Sequence, residues 1–329
     1  MTETIKTGVS LYSYQEEFYT GKLDLEGCIK EVAKSGAKGV EILPEQMIKG
    51  FPRIPETFYE KWHEWMKTYN LTPIAYDAFL ELKLFPNRIT TLEESVDMMK
   101  RDIDIASKLG CKVLRTLVAT PIEVIDASLQ YAEEKDVKIA LEVHAPFTFG
   151  TPWFEERMEY IQKTGTKWFG IMPDLGVFVK RMPSVMEDWH IRHGADPKIV
   201  EYVSEHYANR ADMKAIEKEV QNRKNANEYD KLFARLGTHM VYTDPQSLKE
   251  YIPYIMHIHG KFYEINDLIE EPSIPYQEII SVLKENGYTG YVNSEYEGNR
   301  HIQDYKEVDS IEQVKRHQKL LNKIIHGSI

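Results

Sequence analysis

Two cysteines, Cys28 and Cys111, are the only thiols in 329 residues, and they stand far apart, outside any CxxC spacing. That excludes a disulfide framework or a thiolate zinc cluster as the organising device, and both read as core fillers. No apolar run approaches the roughly 20 residues of a membrane-spanning helix, and no basic-then-apolar leader opens the chain, so a soluble, cytoplasmic protein is expected. Gly/Ser-rich linkers and low-complexity tracts are missing as well, which leaves a single domain, 1–329. Positive charge is in deficit: 41 Lys and Arg against 52 Asp and Glu give a net charge of −11. This opposes the counterion release that drives nucleic-acid binding. Neither nucleic acid nor membrane is an expected partner.

What the chain has is alternation. Short apolar or β-branched runs at 8–14, 39–43, 72–78, 112–117, 138–144, 168–174, 255–260 and 290–295 are separated by amphipathic stretches. Leu25, Cys28, Ile29 and Val32 fall at helical spacing, as do Val96, Met99, Ile103 and Ala106 ahead of Gly110. Ile311, Val314, Leu321 and Ile325 form a last stripe after Asp309. Eight strands, each followed by a helix, predict an α/β fold of the (β/α)8 barrel type. One connection is too long for a plain crossover: residues 179–250 carry helical stripes such as Met213, Ile216 and Val220, and an aromatic, loop-like segment at 181–190. This helical insertion between strands 6 and 7 reads either as decoration or as a lid or partner-binding surface.

The stretch IALEVH, ending at His144, raises the question of chemistry. Ile139, Leu141 and Val143 make one apolar face, so Ala140, Glu142 and His144 share the other. An acid is costly to bury unless it is neutralised, paired or bound to a cation. The same alternation turns Asp174, His259 and Glu295 inward on the next three strands. Four consecutive strands thus end in an inward ionisable residue at the face where barrel active sites lie. Three converging carboxylates repel one another without a cation. Three oxygen donors and one imidazole suit a hard to borderline ion, favouring Mn²⁺, with Mg²⁺, Co²⁺ or Zn²⁺ as alternatives.

The patterns LEVH (141–144), PDLG (173–176), HIHG (257–260) and GYVNSE (290–295), in this order, resemble the xylose-isomerase-like barrels called sugar phosphate isomerases and epimerases. The resemblance covers nearly the whole chain apart from the insertion. It implies that Glu142, Asp174, His259 and Glu295 are the metal ligands. Several sugar epimerases of that family carry a His three residues beyond the metal-binding Asp and an Arg just past the metal-binding His; here those places read Val177 and the run Gly260, Lys261, Phe262, Tyr263. Within the family, LExH combined with the insertion resembles the α subunits of C-glycoside deglycosidases. That resemblance implies 3-oxo-C-glucosides of flavonoid or related phenols as substrates, a smaller β subunit in a hetero-oligomer, and a metal-dependent carbon–carbon lyase reaction. His144 is then the candidate base, with Glu142 and Glu295 the carboxylates that share the catalytic site. Tyr12, Tyr14, Phe147, Phe149, Trp153, Phe178 and Trp189 are candidates to hold a flat aglycone. A divalent-metal-dependent sugar isomerase or epimerase is the alternative. A nuclease of the endonuclease IV class lacks the basic groove and the extra inward ligands it needs, and a non-catalytic binding subunit requires that no metal bind.

Overall fold

The computed structural model describes residues 4–327. Eight parallel strands follow one another around a barrel: β1 Lys6–Ser10, β2 Gly39–Ile42, β3 Thr72–Asp77, β4 Val113–Thr116, β5 Lys138–Val143, β6 Phe169–Pro173, β7 Ile258–Phe262 and β8 Tyr291–Tyr296. Neighbours pair in chain order and β8 pairs with β1, while β6 and β7 meet only through single bridges, Ile171 to Ile255 and Asp174 to His259. The expected (β/α)8 barrel is what forms.

Local chemistry starts and stops the helices that carry the apolar stripes. The Asp24 carboxylate accepts the Gly27 N–H at 2.8 Å to open helix Leu25–Ser35. Thr91 and Glu94 close a reciprocal capping box at the head of Leu92–Leu109, which ends at Gly110 with φ of 82°. Only a residue without Cβ takes that left-handed turn cheaply, and a cap of this kind is worth about 1 kcal/mol. Between helices, Trp62 is fully buried and its indole N–H donates to Leu109 O at 2.9 Å. Truncating such a residue to Ala removes about 3–5 kcal/mol.

Two strands differ from expectation by more than one residue at an end. The first strand stops at Ser10, because Leu11–Tyr14 coil into a 3-10 turn that buries Leu11 and Tyr14. β7 begins three residues late and runs to Phe262, which carries its alternation beyond His259 to Lys261.

The insertion is helical, with Ser184–Arg192, Pro197–Ala208, Met213–Asn222 and Glu228–His239 as its main elements. Ile216 and Val220 are buried, as their stripe required. The segment expected as a loop at 181–190 is instead mostly helix. Pro183 occupies the N-cap position, where no N–H is needed, and Val185 and Met186 bury one face.

Candidate active site at the mouth of the barrel

The site is the second storey of a layered interior. Ala75, Val113, Ala140 and Met172 form a small apolar cluster inside the barrel. Two residues further along each strand, the same inward face presents Asp77, Arg115, Glu142 and Asp174. The other strands add Glu41, His259, Lys261, Asn293 and Glu295, and His257 joins them from just before β7. Gly8 leaves space for this layer, since a Cβ there would come within 2.1 Å of Asn293 Oδ1. The sequence reading found Glu142, Asp174, His259 and Glu295; it missed Glu41, Asp77, Arg115 and Lys261. The signal was the same alternation, applied to GVEI, IAYD and VLRT and continued two residues past His259.

His259 is the hub. Its Nε2–H donates to Glu41 Oε1 at 2.9 Å, while Nδ1 lies 2.8 Å from Glu142 Oε1 and 3.4 Å from Glu295 Oε1. The opposite oxygen of Glu41 accepts from His257 Nε2 at 3.0 Å and from Asn293 Nδ2 at 3.0 Å. Burial alone would raise the Glu41 carboxyl, but the facing His259 and His257 hold it well below the usual range. Burial disfavours a charged His259, yet Glu295, Glu41 and Glu142 overrule it and raise its pKa. Glu295 itself is pushed well up by burial, which His259 and Lys261 only partly offset. Glu142 goes the other way, because Arg115 and His259 outweigh its burial.

Two permanent cations bracket these acids. Arg115 Nε lies 3.2 Å from Asp77 Oδ1 and 3.6 Å from Glu142 Oε2. Burial pushes the Asp77 carboxyl up to about 8 in spite of Arg115. Lys261 pairs with Asp174 and lies 3.5 Å from Glu297 Oε1 and 3.9 Å from Glu295 Oε2. The second Asp174 oxygen accepts the Gly176 N–H at 2.7 Å.

The residues fit a divalent cation. One donor atom each from Glu142, His259 and Glu295 lie within 4.8 Å of one another, and a second such group joins Glu41, Asp77 and His259. Glu295 Oε2 is enclosed without a hydrogen-bond partner. Because Glu41 takes the proton on His259 Nε2, Nδ1 is left facing the two carboxylates, the arrangement that orients an imidazole ligand. Asp174, expected as the fourth ligand, stands outside this trio on Lys261.

A cavity of about 580 Å³ opens above this floor, lined by Glu142, His144, Asp174, Glu295, Arg115 and Lys261 among others. His144 Nδ1 lies 2.8 Å from Ala145 O. A carbonyl only accepts, so Nδ1 carries the proton and Nε2 is an unprotonated lone pair when the ring is neutral. Of the aromatic residues expected here, only Tyr12 lines the cavity, with Phe79 and Tyr263 in place of the others. Tyr14 and Phe178 are fully buried, and Phe149 stacks on Tyr251 at 5.1 Å. Trp153 donates to Val118 O at 3.1 Å and packs against Phe147, while Trp189 stacks on His193 at 4.0 Å within the insertion. Apolar packing claimed these rings, which sequence proximity to a site motif cannot reveal. His239 and Met240, at the end of the insertion, reach the cavity rim.

The chain has relatives among known proteins. Residues 29–324 match the xylose isomerase-like TIM barrel family, and the chain belongs to it. It is similar to the α subunit of 3'-dehydrocarminate deglycosidase from Microbacterium sp, with 26% identity over 316 residues covering 89% of this chain and 88% of that one. It is likewise similar to a C-glycoside deglycosidase α subunit from Arthrobacter globiformis, 27% identical over 331 residues, 99% of this chain and 94% of the relative. Among solved structures, D-psicose 3-epimerase superposes with a TM-score of 0.58 at 12% identity, covering 98% of this chain and 100% of that chain. A sugar phosphate isomerase/epimerase from Parabacteroides distasonis gives 0.57 at 14% identity, covering 98% and 94%. These two likenesses are of fold. Among the described residues no helix is long and apolar enough to cross a membrane.

Proposed function

We propose that this chain is the metal-dependent catalytic subunit of a cytoplasmic C-glycoside deglycosidase, a lyase that cleaves the C–C glycosidic bond of 3-oxo-C-glucosides together with a smaller subunit. The observation that carries this reading is one cavity lined by His144 together with Glu142 and Glu295, the two carboxylates that cluster with the buried His259. Glu142, Asp174, His259 and Glu295 would hold the ion, Asp174 exchanging its Lys261 partner for it, and the oxygen-rich set favours Mn²⁺. A divalent ion bound there supplies Lewis acidity for a ketone oxygen.

His144 Nε2 takes the proton from C2 of the sugar, which the C3 ketone acidifies. The electron pair left on C2 forms the C1=C2 bond as the C1–aryl bond breaks. The aryl carbon takes a proton, so the one lost at C2 is balanced by the one gained, and the products are an anhydro-enone sugar and the free phenol. Tyr12, Phe79 and Tyr263 supply flat apolar walls for the aglycone. The cavity volume falls within the roughly 300–1,000 Å³ of small-molecule sites.

Epimerisation begins with the same deprotonation but needs a firm grip on a free sugar. Val177, where sugar epimerases of this family carry a His, is fully buried in the core, and no Arg follows His259, the run reading Gly260, Lys261, Phe262, Tyr263. These observations favour the lyase. The test is metal-loaded protein, with and without its co-purified partner, assayed on a 3-oxo-C-glucoside and on free ketoses. Aglycone release is expected; ketose epimerisation with no aglycone would overturn the reading.

A further inference from the structure

We infer that Arg115 contacts the substrate, its guanidinium receiving the ketone oxygen as negative charge develops there. This rests on the reading above only in requiring an enolate of a keto sugar. Arg115 is 4% exposed and lines the cavity floor beside Glu142, in the same space as His144. Its Nε and Nη1 are enclosed and make no hydrogen bond, and neither oxygen of Asp77 makes one either. A guanidinium paired with a carboxylate frequently forms a two-bond fork. Here the 3.2 Å and 3.6 Å approaches to Asp77 and Glu142 supply attraction without aligned bonds. Arg115 is nonetheless one of the residues lining the cavity, so an edge of its side chain meets that space.

Packing holds that edge in place. Phe79, which also lines the cavity, lies under the guanidinium with 5.2 Å between its ring centroid and Arg115 Cζ. Arg115 carries its charge at every working pH, so it moves no proton. It acts instead as a fixed donor, already oriented and shielded from water, aimed where an oxyanion forms. Such a donor strengthens as charge builds on the oxygen, so its effect falls on the rate of deprotonation more than on substrate affinity.

The experiment compares wild type with R115M and R115K in D₂O, following deuterium uptake at C2 of a 3-oxo-C-glucoside, aglycone release, and metal content by elemental analysis. Removing a donor of this kind lowers kcat by about 10²–10³-fold. That loss is expected in R115M for both exchange and release at unchanged metal content, with partial recovery in R115K. A metal-replete R115M within threefold of wild type would overturn the inference. So would an R115M whose only defect is metal loss, with full rates once saturated, since Arg115 would then merely position Glu142. If R115M does not fold, R115K and R115Q carry the same comparison. If wild type releases no aglycone, exchange beside the carbonyl of a free ketose reports the enolate without the lyase step, and unaltered exchange in the variant overturns the inference independently.

Discussion

His259 on β7 and Glu41 on β2 face each other inside the barrel, with Nε2 2.9 Å from Oε1, and this contact fixes which face of the imidazole meets Glu142 and Glu295. A carboxylate behind a metal-binding imidazole orients the ring and raises its basicity, and removing such a partner costs about 10–100-fold in metal affinity. Glu41→Gln keeps the shape but gives up the charge. We predict a drop of that size in Mn²⁺ affinity by calorimetry, with the barrel still folded. Unchanged affinity would separate Glu41 from the metal site.

Glu295 gives a second prediction. With Oε2 enclosed and unpartnered, it is a cost in the metal-free protein and a ligand in the loaded one. A ligand at 100 times its Kd stabilises a protein by about 2.7 kcal/mol. Glu295→Ala should therefore leave the metal-free melting temperature unchanged or raised, and shrink the rise that Mn²⁺ produces. Asp174→Ala should shrink it too, although Asp174 starts on Lys261. A full Mn²⁺ shift in both variants would reject the four-ligand set.

The barrel was legible because its evidence is local and repeated: apolar runs, stripes such as Leu25 to Val32, and caps such as Asp309 and Gly110 act within a few residues. Glu142, Asp174, His259 and Glu295 were legible because inward alternation is a property of single strands. Lys261 was lost through one misplaced boundary, since ending the seventh strand at Gly260 cut off the next inward position. Arg115 and Asp77 form a pair only because β3 and β4 lie in register, Asp77 beside Arg115. That is a tertiary fact. The aromatic wall failed for the same reason: whether Phe149 faces a cavity or stacks on Tyr251 is decided by residues about 100 positions away.

Glu271 predicts a pH dependence of stability. It is buried, accepts from Ser273 N at 2.8 Å and Ser273 Oγ at 2.7 Å, and burial pushes its pKa up to about 7 against these bonds. The unfolded value is near 4.5. An acid raised on folding is stabilising below its unfolded pKa, and the contribution is lost as pH rises through the folded one. Between about pH 4.5 and 7 the loss is on the order of 3 kcal/mol. Glu271→Gln should flatten denaturation midpoints across that window. An unchanged slope in the variant would assign it to other groups.

The insertion predicts an interface. Ile191 and Leu232, on helices Ser184–Arg192 and Glu228–His239, are 37% and 44% exposed, and Tyr305 nearby is 49% exposed. Exposed apolar side chains on two helices that pack together are suited to a partner surface. Ile191→Asp with Leu232→Asp changes only exposed positions, so the melting temperature should hold. Co-purification of the smaller subunit should weaken at least tenfold. Intact complex formation would place the partner elsewhere.

His144 gives the most direct test of the chemistry. Its Nδ1–H is held by the Ala145 carbonyl, so Nε2 is the atom free to accept a proton in the cavity. Glutamine spans a similar reach and keeps a polar end, but has no basic nitrogen. His144→Gln should therefore bind Mn²⁺ as wild type does, because none of the three clustered donors is touched. Loss of a general base lowers rates by about 10²–10⁴-fold. With a C2-deuterated 3-oxo-glucoside, wild type should cleave more slowly than with the protonated compound wherever deprotonation limits the rate, and the variant should release almost no aglycone. Metal-replete His144→Gln that cleaves near the wild-type rate would remove His144 as the base, leaving Glu142 or Glu295 to take the proton.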